Sequence, residues 1–84
     1  MTDFKELDDL LSELINGAKE RTITNMIPYN NRFARLLPEP ETKREMGYVE
    51  CKRLCFEAIR KPEVYDTNLA EAEEIFSELS EKEE

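Results

Sequence analysis

Cys51 and Cys55 are the only thiols in the chain, and their C-x-x-x-C spacing sets them one helical turn apart on a common face. A zinc or redox centre needs more than this pair. There is no histidine and no third cysteine, and the spacing is not the C-x-x-C of a dithiol redox motif. The fixed side-chain directions at i and i+4 do not suit an unstrained disulfide either. The expectation is two reduced, small apolar residues in a core.

Carboxylates are the other abundant reactive group. Against 12 lysines and arginines stand 20 aspartates and glutamates, for a net charge of −8. Paired carboxylates catalyse where a cleft perturbs their protonation, and a helical domain of 84 residues leaves little room for one. Without histidine there is no triad and no imidazole base. With only Gly17 and Gly47, no glycine-rich phosphate loop can be written, and the acidic stretches lack the D-x-[DN]-x-[DN]-G spacing of a calcium loop. No catalytic, cofactor-binding or metal-ligating residue is therefore assigned, and the chain is expected not to be an enzyme.

Two patterns suit binding instead. Glu71, Glu74 and Glu78 recur at spacings of three and four, which lines them along one helical face. Such a row is either a solvated surface or an array that meets a basic partner site, in the extreme by imitating the phosphates of DNA. The second pattern is Tyr29, Arg32, Phe33 and Arg35, arginines interleaved with aromatics as at protein hot spots or base-stacking platforms. The bland alternative puts Tyr29 and Phe33 in the core, with both arginines on the far side. Charge is polarised along the chain: residues 62–84 hold nine acids and one base, whereas residues 21–37 hold three arginines and no acid.

The elements that position these residues follow from apolar periodicity and capping. A helix over about 3–20 starts at Asp3, with Glu6 completing a capping-box spacing, and carries the stripe Phe4, Leu7, Leu11, Leu14, Ala18. A second long helix over about 42–61 starts with the Thr42/Glu45 box and stops at Pro62. Its apolar residues, among them Val49, Leu54, Phe56 and Ile59, cover more than half its circumference, so it is expected at the centre of the molecule, contacted from two sides. Gly47 near its start costs about 1 kcal/mol in helix propensity unless a neighbour passes too close for a side chain. A third long helix over about 67–82 is expected to begin in the cap-forming cluster Asp66, Thr67, Asn68, with its acidic end, 80–84, frayed.

Between them a short helix over about 28–37 is favoured by Pro28 at its start; the rival, a strand over 22–27, would have no sheet to join. The fold expectation is thus an all-α small bundle of three long helices and one short one, a single helical domain over 1–84.

The start of the chain lacks an apolar h-region, and no apolar run nears the roughly 20 residues of a membrane span. A cytoplasmic protein with no membrane partner is expected. By elimination, the expected function is a non-enzymatic protein–protein interaction module, an adaptor, inhibitor or regulator, with self-association permitted by the heptad-like stripes. The alternative is a nucleic-acid-related regulator, working through acidic mimicry or through the 28–37 segment. Nucleic acid itself matches the overall negative field poorly. Short length, acidity and the lack of catalytic motifs are also common among accessory proteins of phages and plasmids.

Overall fold

A computed structural model describes residues 2–81, and they form an all-α bundle. In chain order the elements are α1 (Phe4–Glu20), α2 (Ile27–Leu36), α3 (Lys43–Arg60), a 3-10 turn (Pro62–Val64) and α4 (Tyr65–Glu81). Residues 22–26 are irregular, so the rival strand is not formed. Of the fraying expected over 80–84, residues 82–84 lie outside the described residues, and the backbone of 80 and 81 is helical.

Capping starts α1 as its sequence implies: the Asp3 carboxylate accepts from the Glu6 N–H at 3.1 Å. Its stripe then buries Leu7, Leu10, Leu11, Leu14, Ile15 and Ala18. The helix continues past Gly17 to Glu20 and closes through Arg21 in the left-handed region, at φ 58°. The Arg21 N–H donates to the Ala18 carbonyl at 3.2 Å and the Thr22 N–H to the Gly17 carbonyl at 3.0 Å, a Schellman ending. What Gly17 provides is space, since a Cβ there would stand 2.5 Å from Ile23 Cδ1.

At the start of α3 the full capping box forms, with Thr42 Oγ1 accepting from the Glu45 N–H and the Glu45 carboxylate accepting from the Thr42 N–H, both at 3.1 Å. Glu45 also accepts from the Glu41 N–H at 2.8 Å and from the Thr2 hydroxyl, which pins the chain's start to the α2–α3 connection. α3 is contacted from two sides, by α4 most closely and by α1, but it is not alone at the centre, since α1 touches α2, α3 and α4. Tyr48, Cys51, Leu54, Cys55 and Ala58 face these neighbours and are buried. The Tyr48 hydroxyl donates to Asp8 of α1, and burial together with that carboxylate pushes its pKa up to about 12.

The start of α4 departs from expectation. Instead of a cap near residue 67, Pro62 opens a 3-10 turn that runs directly into a helix beginning at Tyr65. Asn68 is consequently inside the helix and buried, donating to the Leu54 carbonyl at 3.4 Å and to Glu57 Oε1 at 3.2 Å. A residue that reads as a cap because its amide can satisfy backbone groups satisfies those of a neighbouring helix instead.

α3 and α4 run antiparallel, as three contacts show: Asn68 beside Leu54, the Cys51 thiol donating to the Ala72 carbonyl at 3.4 Å, and Leu79 over Gly47. At Gly47 a Cβ would lie 2.8 Å from Leu79 Cδ2, so the glycine admits α4 at close range. That approach is the exception under which its propensity cost is offset.

α2 is the lightly held element. It spans Ile27–Leu36, one residue earlier than expected, and buries only Phe33, with Leu37 just beyond its end also in the core. It packs on α1 and makes no backbone approach to α3 or α4 among the described residues.

Candidate interaction surface

The thiols fall where the sequence puts them. Cys51 and Cys55 are free and buried, and burial pushes both pKa values up to about 12, which leaves no thiolate for nucleophilic or redox chemistry near neutral pH. Among the described residues no three histidine, cysteine, aspartate or glutamate side chains converge to hold a metal ion. No described helix is long and apolar enough to cross a membrane.

The acidic candidates are all on the surface. Glu71, Glu74 and Glu78 are exposed along α4 and form no ion pair with a described residue. Their neighbour Glu73 instead binds Lys19 of α1 at 2.7 Å, and that bond raises the lysine's pKa. The basic-aromatic candidates divide. Phe33 is 3% exposed, a core residue and not the surface aromatic that an interface role requires. Tyr29 is half-buried, Arg32 is drawn to Glu13 of α1 at 3.5 Å, and Arg35 is exposed beside Leu36, Pro38 and Glu39 in an open groove. With no approach between α2 and α4, the two candidate sets remain separate surfaces.

A third surface matches none of the sequence motifs above. Met46, Val49, Arg53, Phe56 and Arg60 follow one another at spacings of three and four, and they form the side of α3 turned away from α1 and α4. Met46 is 55% exposed, while Val49 and Phe56 are half-buried in a shallow depression of about 430 Å³ edged by Lys52, Arg53, Glu57 and Arg60. The Lys52 ammonium sits 5.9 Å from the centre of the Phe56 ring and donates to Asn30 Oδ1 of α2 at 3.3 Å. Arg53 holds Glu50 at 2.6 Å and Glu57 at 3.4 Å, which raises its own pKa and lowers that of Glu50. The signal was present in the sequence as excess apolar circumference. Two packing partners account for most of that excess; Val49 and Phe56 lie at the margin of the core, partly buried against it and partly open to the depression.

At the opposite side of the bundle a smaller cleft of about 180 Å³ lies between the end of α1 and the start of α4, lined by Gly17, Ile23, Ile59 and Tyr65. Arg21 closes it, with its guanidinium stacked 4.0 Å above the Tyr65 ring. The two polar side chains on its edge are already engaged, Arg21 with the Tyr65 ring and the Tyr65 hydroxyl with the Ala18 and Lys19 carbonyls.

The chain matches no known family model, and no curated protein or solved structure is significantly similar to it.

Proposed function

We propose that this chain is a small protein-interaction module, acting as an adaptor, inhibitor or regulator by binding rather than by catalysis, and that it presents the outer face of α3 to its partner. One observation carries the reading: on the outer side of α3 Met46 is 55% exposed and Val49 and Phe56 stay partly accessible in a shallow depression, rimmed by Lys52, Arg53 and Arg60. Apolar centres with a polar rim are the anatomy of protein interfaces, and arginine and aromatic side chains are enriched at their hot spots. Each large apolar side chain fully buried there contributes about 1.5–3 kcal/mol, enough for a few anchors to dominate an affinity.

The test is affinity capture from the source cell, comparing the natural chain with a Val49→Glu, Phe56→Glu double variant. Circular dichroism would show that the variant stays folded. Captured proteins lost from the variant support the reading; identical sets from both chains refute it.

A further inference from the structure

We infer that the outer face of α3 is covered by a second copy of this chain, in an antiparallel pairing about a two-fold axis at Arg53. The inference rests on the interaction reading above and names the occupant of that surface. The stripe, exposed at Met46, Arg53 and Arg60 and half-buried at Val49 and Phe56, has an internal near-symmetry: Val49 and Phe56 lie four and three residues to either side of Arg53, and Met46 and Arg60 lie seven to either side. An axis through Arg53 therefore sets Val49 of each copy on Phe56 of the other, and Met46 on the aliphatic stem of Arg60. Alternate spacings of three and four are those of a helix–helix seam, whose faces interlock without opening the bundle.

Charge selects the antiparallel direction. Because α4 runs back along α3, Arg60 and Lys61 lie at one end of this surface and Glu78 at the other, with Glu71 close enough to Arg53 to act on its charge. Glu71, Ile75 and Glu78 thus form an acidic edge beside the basic stripe, with Ile75 half-buried between them. An antiparallel overlay brings Arg60 of each copy to Glu78 of the other, twice per dimer, whereas a parallel overlay stacks like on like. The two Arg53 side chains that meet at the axis are not bare cations, since each already holds Glu50 and Glu57. Repulsion between two chains of net charge −8 is largely screened beyond about 8 Å at physiological ionic strength, so contacts within the face decide.

Sedimentation equilibrium of the full chain at physiological salt, over roughly 10 μM to 1 mM, tests this directly. A concentration-dependent dimer is expected. Phe56→Glu should leave a monomer with an unchanged circular dichroism spectrum. Arg60→Glu and Glu78→Arg should each weaken the dimer about fivefold, and the double variant should recover it. Because these two charged positions are exposed, they decide the matter even if Phe56→Glu fails to fold. A monomer throughout the range overturns the inference, as does a dimer indifferent to Phe56→Glu or a double variant no tighter than either single one. A monomeric chain that still captures proteins in a Phe56-dependent way would remove the second copy and leave the interaction reading standing.

Discussion

Two carbonyls at the end of α1, those of Ala18 and Lys19, share a single hydroxyl from the start of α4: Tyr65 donates to them at 2.8 and 3.1 Å, beside the Arg21 N–H that Ala18 also accepts. Tyr65→Phe keeps the ring on which Arg21 stacks and removes only these bonds. Urea unfolding should show a loss of about 1 kcal/mol for that change. Tyr65→Leu removes the cation–π contact as well and should cost about 0.5–1 kcal/mol more. Glu45 carries a pH effect. The bonds it accepts from the Thr2 hydroxyl and from the Glu41 and Thr42 N–H groups lower its pKa from the ordinary 4.5 to about 2. A carboxyl lowered by folding stabilises fully above its unfolded value, and that contribution disappears as pH falls through the folded one. Melting temperature should therefore decline between about pH 4.5 and 2, and Glu45→Ala should flatten this segment of the profile. The box that holds Glu45 was legible because Thr42 and Glu45 bond within one turn. The burial of Phe33 was one of the two readings its spacing allowed, whereas that of Asn68 was not legible, because it depends on which distant helix covers it.

The three long helices were readable from apolar stripes and stop signals that act over a few residues, such as Asp3 before α1 and Pro62 after α3. What escaped was set by tertiary contact. Nothing local distinguishes a cap at Asn68 from an amide that reaches the Leu54 carbonyl of the next helix. Likewise the outer stripe of α3 looked like surplus core until α1 and α4 were seen to occupy the other two sides. α2 is the weakest of the four helices on physical grounds. It buries one residue, packs on one neighbour and starts without a side-chain cap on Met26. Native-state hydrogen exchange should find its amides about tenfold or more less protected than those of α3, through local opening that spares the rest. Equal protection in α2 and α3 would show that the Lys52–Asn30 bond and the burial of Leu37 hold it more firmly than its packing suggests.

At the scale of the whole molecule, a radius of gyration of 12.0 Å agrees with the roughly 12 Å expected of a single compact domain of this length. The buried residues of all four helices form one contiguous core. The charge polarity visible in the sequence is partly neutralised in space, through Lys19–Glu73 and Arg32–Glu13, while Glu71, Glu74 and Glu78 face outward. The antiparallel α3–α4 pair has a further consequence, in time. Its two helices are the most closely packed in the bundle and are joined by only Lys61–Val64, so their meeting closes a short loop at little entropic cost. Such local topology gives fast folding, with the first stable structure at this hairpin and α1 docking onto it. In a chevron analysis, Leu54→Ala and Ala72→Gly should slow folding, with φ-values of about 0.5–0.8, while Phe33→Leu should chiefly speed unfolding. A low value at Leu54 beside a high one at Phe33 would reverse that order. The segment richest in arginine and aromatic residues would then be the first to find its place, and not the last.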